Sequence, residues 1–270
     1  MIIFIIMEEI IMGVNLITEK VILPSSGTSI YGSNFDGIIT VRAMTTEEER
    51  MRLSGQSFYQ TMSEIINNCI VDNKNPDGSL KLDSRDLTDF DFFAVCVKLR
   101  ILSYGPRYRT TAVCPKCGHE FPYIADLSKL EYNLLPNDFS EPYDVGPLPV
   151  SNDTLGCRFL RVKDRIEIEK QKDTILSRDQ HYIGDPTYNL EMQRRISCVN
   201  GERLDVYTAE QYVSNMIAMD NCYYHEKVDD SVYGVVRLGT TECENPKGCD
   251  GIGIWVLKVD REFFRPVFDD

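Results

Sequence analysis

Two pairs of cysteines at distant positions constrain most strongly what this chain can fold into. The first pair lies in the segment Cys114-Pro-Lys-Cys-Gly-His-Glu-Phe121, where two residues separate Cys114 from Cys117 and Gly118 follows directly. A turn with this spacing points its backbone amides at the two sulfurs, so it suits two thiolates bound to one metal ion. We call residues 114–118 the first knuckle.

The second pair, Cys243 and Cys249, has five intervening residues, more than the usual spacing of metal-binding cysteines. Pro246 and Gly248 can fold this longer loop tightly, because both residue types favour turns. We call residues 243–249 the second knuckle. Four thiolates complete a tetrahedral site, so we predict one structural zinc ion in a zinc ribbon with the ligands Cys114, Cys117, Cys243 and Cys249.

The predicted fold is α+β, with a zinc ribbon whose two halves are separated by a long insertion. β-prone segments flank both knuckles, as the hairpins of a ribbon require. The predicted units are an N-terminal extended segment at 1–44, a helical hairpin at 45–107, zinc-ribbon halves at 108–128 and 230–262, a mixed α/β insertion at 129–229 and a C-terminal tail at 263–270.

The predicted helical hairpin opens with a capping box. Thr45 with Glu48, or the same pair of residue types one position later, can satisfy the first backbone amides of a helix. Apolar side chains at three- and four-residue spacing predict that this helix continues to about residue 71. A second helix is predicted at 84–103, with its end at Gly105. The short connection predicts that the two helices pack as an antiparallel pair.

The charge of the chain argues against nucleic acid as a partner. Acidic residues number 42 against 29 lysines and arginines, which gives a formal net charge of −13. Such an excess disfavours a broad phosphate-binding face. A zinc-ribbon nucleic-acid-binding or transcription-associated factor is therefore kept as the alternative to a structural protein.

The apolar N-terminal segment, Met1-Ile-Ile-Phe-Ile-Ile-Met7, predicts neither a signal peptide nor a membrane span. No basic residue precedes it, and Glu8 and Glu9 interrupt it far short of the length that crosses a bilayer. We interpret it as a buried β-strand, or as residues upstream of a later start at Met7 or Met12. No membrane is expected as a partner.

The sequence carries no pattern of a common catalytic site. A zinc ion with four thiolate ligands has no open position, His-Glu-x-x-His spacing is absent, and the chain contains only three histidines. Phosphate-binding and nucleophile-elbow glycine motifs are absent as well. We therefore expect no enzymatic activity. A redox pair of Cys114 and Cys117 is the remaining alternative, which the β-prone flanks disfavour because such a pair needs a helix N-terminus.

Several short motifs stand in order around the first knuckle. They are Leu23-Pro-Ser-Ser-Gly27, Thr45-Thr-Glu-Glu-Glu49, Ile65-Ile-Asn-Asn-Cys-Ile70 and Lys98-Leu-Arg-Ile-Leu-Ser-Tyr-Gly105 before it, Asp126-Leu127 after it, and the late cysteine pair with Phe263-Phe-Arg-Pro266 at the end. Over most of residues 20–268, this order resembles the baseplate hub and hub-assembly proteins of contractile-tailed bacteriophages of the T-even type.

The resemblance implies a non-enzymatic tail protein that is made in the host cytoplasm and acts in building the central part of the baseplate. Other phage tail and baseplate proteins would be its partners. The resemblance leaves open whether the protein stays in the virion or leaves as an assembly chaperone. The broad second knuckle departs from the tidier form in the family. The first knuckle carries over residue by residue, whereas the partner surface does not.

Overall fold

The computed structural model describes residues 17–32, 35–55, 57–71, 73, 80–179, 181–228 and 232–268. In these ranges the chain has a mixed α/β fold with several antiparallel sheets and seven α-helices. The helices are α1 Thr46–Arg52, α2 Phe58–Cys69, α3 Asp89–Tyr104, α4 Val162–Arg178, α5 Thr187–Arg195, α6 Val206–Asn215 and α7 Ala218–Lys227. The strands are β1 Thr18–Ile22, β2 Ile38–Arg42, β3 Arg107–Val113, β4 Glu120–Asp126, β5 Tyr132–Asn133, β6 Tyr143–Val145, β7 Leu155–Cys157, β8 Ile196–Val199, β9 Glu202–Arg203, β10 Gly234–Val235, β11 Leu238–Glu242 and β12 Ile252–Val256.

The N-terminal segment contributes a two-stranded sheet, in which β1 and β2 pair antiparallel along their whole length. Val21 and Val41 are buried in the main hydrophobic core, whereas the residues that alternate with them along each strand are more exposed. The apolar segment at 1–7, for which a buried strand was one interpretation, lies outside the described residues.

The single helix predicted from residue 45 to about residue 71 is wrong, because the structure has two helices there. The capping box of Thr45 and Glu48 is present and begins α1, but this helix ends at Arg52. Ser57 then begins α2 by accepting a hydrogen bond from the Gln60 amide on its side-chain oxygen. A strong N-cap in mid-sequence separates the two helices, and the apolar periodicity does not reveal it.

Helix α3 lies at the centre of the fold. Every residue from Leu87 to Val97 is buried, so α3 has no solvent-facing side over this stretch. It begins later than predicted, with Thr88 as N-cap, and ends as predicted at Gly105, which has φ 80°. The ring of Tyr59 lies 5.7 Å from that of Phe92. This contact joins the first turns of α2 and α3, an arrangement different from the antiparallel packing expected.

The two chain segments that carry the knuckles form one four-stranded antiparallel sheet in the order β11-β12-β3-β4. Each half is a hairpin, and the pairing of Ile254 with Val113 joins β12 to β3 across the sequence. Trp255 is buried on the inner face, where it covers Gly239. A Cβ atom at Gly239 would lie 2.2 Å from the indole ring, so only glycine fits there.

The segment between the two hairpins contains a second four-stranded sheet, β6-β7-β8-β9, together with helices α4 to α7. Its own buried cluster includes Leu155, Cys157 and Ile196. This segment is mixed α/β, as predicted, although the domain boundaries remain a prediction. None of the helices in the described ranges is both long and apolar enough to cross a membrane.

The C-terminal segment packs onto the end of α3. Phe263 and Phe264 are buried, so their side chains belong to the core. The guanidinium of Arg100 is fully buried and donates hydrogen bonds to the carbonyl oxygens of Gly105, Arg107, Phe263 and Arg265, at 2.6 to 2.9 Å. One buried cation therefore connects α3, the start of β3 and the C-terminal segment.

Candidate metal centre

The β3–β4 hairpin holds the first knuckle at its tip. The last pair of the ladder is Val113 with Glu120, so the cysteines lie in the connecting loop. The Cys114 amide donates to the His119 carbonyl oxygen at 3.0 Å, and the Gly118 amide donates to the Cys114 carbonyl oxygen at 2.8 Å. Gly118 has φ 71°, a conformation that favours glycine, so this residue allows the tight turn.

The β11–β12 hairpin holds the second knuckle in the same way. Its ladder ends with Glu242 paired to Ile252, and the Cys243 amide donates to the Gly251 carbonyl oxygen at 3.0 Å. The longer loop folds back on itself, since the Gly248 amide donates to the Asn245 carbonyl oxygen at 3.0 Å. Gly248 has φ 77°, which agrees with the turn expected at this position.

The β12–β3 pairing places both knuckles at the same end of the sheet. The sulfurs of Cys114 and Cys249 lie 3.9 Å apart, and those of Cys117 and Cys243 lie 3.7 Å apart. All four sulfur atoms lie within 4.8 Å of one another. These separations exceed the disulfide bond length of about 2.05 Å, and all four cysteines are free.

The geometry of the four sulfurs fits a tetrahedral metal ion. Zinc–sulfur bonds of about 2.3 Å place the sulfurs of such a site about 3.8 Å apart. Two of the separations, 3.7 and 3.9 Å, match this edge length. The four cysteines could therefore hold one metal ion between the two hairpins.

Four residues around the sulfurs shape the site and carry no signal of their own in the sequence. The Gly251 amide points at the Cys249 sulfur at 3.4 Å, and the Asn245 side-chain amide points at the Cys117 sulfur at 3.5 Å. A Cβ atom at Gly251 would lie 2.7 Å from the Cys114 sulfur, so the cluster requires glycine here. Lys116 forms an ion pair with Asp250 across the two knuckles.

The thiols differ in their readiness to lose a proton. Hydrogen bonds from the Asn245 side chain and the His119 backbone lower the pKa of Cys117 to about 6. Desolvation and hydrogen bonds among the clustered thiols instead raise the pKa of Cys243 to about 12. One thiolate is thus stabilised, whereas four thiolates this close together need a cation among them to offset their repulsion.

The histidines do not contribute to the cluster. The His119 ring stacks on Phe121, with ring centres 5.7 Å apart, and the His225 ring stacks on Tyr188 at 4.5 Å. Across the described ranges, the four cysteines are the one group of metal-ligating side chains whose ligand atoms converge. Cys114 and Cys117 lie in a β-hairpin loop, not at the helix N-terminus that a thioredoxin-like pair uses.

Comparisons with known proteins assign the chain to a family but not to an individual relative. No curated protein and no solved structure matches the chain. The family model described as "T4 bacteriophage base plate protein" matches residues 16–183. This match spans more than half of the chain, includes the first knuckle and ends before the second. The chain therefore belongs to the T4 bacteriophage base plate protein family.

Proposed function

We propose that this baseplate protein is a non-enzymatic part of the baseplate hub, or of the pathway that builds the hub, and that one structural zinc ion holds its fold together. The ligands are Cys114, Cys117, Cys243 and Cys249. The observation that carries the proposal is the convergence of two hairpins whose cysteines are as much as 135 residues apart in sequence.

Zinc is the metal that best fits four thiolates in this setting. Sets of four sulfur ligands select zinc or iron–sulfur clusters, and a single zinc ion matches the sulfur separations of 3.7 and 3.9 Å. A zinc ion bound by four thiolates has no open coordination position, so its contribution is to crosslink the chain. The crosslink fixes β12 beside β3 and with it the whole four-stranded sheet.

A rigid sheet suits a protein that must present a fixed surface to other tail proteins. The net charge of −13 keeps such a component soluble before assembly and disfavours phosphate-rich partners. We therefore propose baseplate and tail proteins as the partners, and the host cytoplasm as the place of assembly. A nucleic-acid-binding ribbon is the alternative, which predicts binding that weakens steeply as salt increases.

The zinc site is tested by native mass spectrometry of protein purified without chelator. We expect one bound zinc ion in the unmodified chain, a lower occupancy in Cys243→Ser, and full occupancy in the control Cys222→Ser. Cys222 is exposed on α7 and lies outside the cluster. Absence of metal, or occupancy unchanged by Cys243→Ser, would refute one zinc site shared by the two knuckles. The low pKa of Cys117 would then favour the redox alternative.

The hub role is tested separately by sedimentation of tail and baseplate intermediates from infected cells. We expect the protein to sediment with baseplate intermediates. A comparison of intermediates with finished virions then distinguishes a permanent component from an assembly factor. A protein that stays free throughout infection would contradict both roles, whatever the zinc content.

A further inference from the structure

The four-stranded sheet of the two hairpins has an outer face, opposite to the core, with an apolar centre. Side chains alternate along each strand, so residues two apart share this face. Six of them are large hydrophobics with 40% to 64% of their surface exposed: Val113, Ile124, Leu238, Ile252, Ile254 and Val256. Leu238 pairs with Val256, and Ile254 pairs with Val113, so the apolar side chains are contiguous across three strands.

This pattern differs from that of an ordinary antiparallel sheet with one solvent-exposed face. Such a sheet normally has an apolar face on the core and a polar face toward water. Strand β12 instead has Trp255 on the inner face and Ile252, Ile254 and Val256 on the outer face. Contiguous apolar surface of this kind marks a site of interaction.

Charged residues border the apolar centre, acidic at one end and mainly basic at the other, where Asp126 shares the face but is paired with Lys129. Glu120 and Glu242 are exposed at the end that carries the knuckles, since Glu120 pairs with Val113 and Glu242 with Ile252. Arg109 lies near the start of β3, at the opposite end of the sheet, and Lys258 lies two residues beyond the end of β12; both are exposed. In the part of the chain that the structure describes, none of these four side chains forms an ion pair. Their charges therefore remain available to a partner.

We propose that the outer face binds the same face of a second copy of this chain. The twofold axis lies in the plane between the two stacked sheets and is perpendicular to the strands. Rotation about this axis reverses the strand direction in the second copy. The acidic end of one copy then lies over the basic end of the other, at both ends of the interface. Self-complementary charge of this kind is what a twofold interface between identical faces requires.

The size of the face predicts a reversible dimer. Four strands about 4.8 Å apart and about six residues long cover a square of about 20 Å on each side. Stacked sheets bury such faces about 10 Å apart, and an interface this small belongs to the weak end of specific complexes. We therefore expect association at micromolar concentrations, with a dimer that weakens as salt screens the four charges.

The test is a charge-exchange experiment read by sedimentation velocity. The first variant, Arg109→Glu with Lys258→Glu, has an all-acidic border. The second variant, Glu120→Lys with Glu242→Lys, has an all-basic border. We expect the unmodified chain to dimerise, each variant alone to be monomeric, and an equal mixture of the two variants to form a dimer. Recovery on mixing distinguishes this interface from any other, because each folded variant lacks one half of the charge pattern.

The proposal is overturned by an unmodified chain that stays monomeric at high micromolar concentration, or by variants that dimerise as the unmodified chain does. A mixture that stays monomeric also overturns it, provided that both variants are folded. Circular dichroism and zinc content, measured on each sample, supply that check. They also separate a failure of this interface from a failure of the zinc site, since none of the four exchanged side chains is a proposed zinc ligand. A monomer that binds another baseplate protein through this face would assign the face to that partner instead.

Discussion

Replacement of Arg100 gives the sharpest prediction for the stability of this fold. The Arg100 side chain is 0% exposed, and its guanidinium donates four hydrogen bonds to backbone carbonyl oxygens, with no carboxylate among its hydrogen-bond partners. Burial lowers its pKa, so the four carbonyl oxygens must stabilise the charge. Arg100→Met keeps an unbranched apolar stem, shortens the side chain and removes every donor.

The expected decrease in the free energy of unfolding follows from the carbonyl oxygens that lose their donors. The Phe263 carbonyl belongs to a buried residue, and loss of its donor costs about 1–3 kcal/mol. Arg265 is exposed and the other two residues are half-buried, so water can replace part of what their carbonyls lose. Since the variant also avoids burying a charge, we expect a net decrease of about 3 kcal/mol in the free energy of unfolding.

The assay is urea denaturation at pH 7, with hydrogen exchange of the C-terminal segment as a local measurement. We expect Arg100→Met to unfold at lower urea concentration and to exchange faster at 257–266. Arg50→Met is the matched control, because both Arg50 and its partner Glu47 are exposed and an ion pair in water contributes little to stability. An Arg100→Met variant whose urea midpoint differs from that of the unmodified chain no more than the Arg50→Met control does would refute the reasoning.

Two further predictions concern a metal-site glycine and an acidic cap. In Gly251→Ala the new methyl group meets the Cys114 sulfur, so we expect zinc affinity to fall about 10- to 100-fold in a chelator competition. Gly55→Ala is the control and should leave zinc affinity unchanged, because nothing lies within 4 Å of its Cβ position. Burial alone would raise the pKa of Glu48, but hydrogen bonds from Arg42 and Thr45 outweigh it and lower the pKa to about 2. The carboxylate therefore contributes about 2–3 kcal/mol of stability above pH 4.5, which is lost as the pH falls toward 2. Glu48→Gln should be less stable at pH 7 and lose that difference in acid; a constant difference in urea denaturation from pH 7 to 3 would contradict this.

The cysteine cluster could be located in the sequence because its chemistry is local. Cys114 and Cys117 have ligand spacing, and Gly118 and Gly248 supply the two turns. The partners that complete the site were not predictable in the same way. Gly251 is required by a sulfur 137 positions earlier, and only the β12–β3 pairing brings the two together.

The helices show two limits on what apolar periodicity can predict. The apolar pattern of α1 and α2 predicts one continuous helix, because the interruption depends on the Ser57 cap and not on any change in pattern. Helix α3 is buried over its first two turns on all sides, so its sequence has no polar face that would mark how it packs. Arg100 interrupts this apolar character, and its carbonyl partners on the C-terminal segment are 163 and 165 residues away.

The hydrogen bonds of the buried Arg100 have a consequence for how the chain folds during its own synthesis. Its partners Phe263 and Arg265 are made 163 and 165 residues after Arg100, and Cys249 is made 135 residues after Cys114. At about 5–20 residues per second, about 7–27 seconds pass while the first hairpin is complete and its sheet is not. During that time Arg100 lacks two of its four carbonyl acceptors, and Cys114 and Cys117 lack the two sulfurs that complete their cluster. We therefore expect the first hairpin and the core around α3 to stay incompletely packed in the nascent chain until residues 249–265 have emerged.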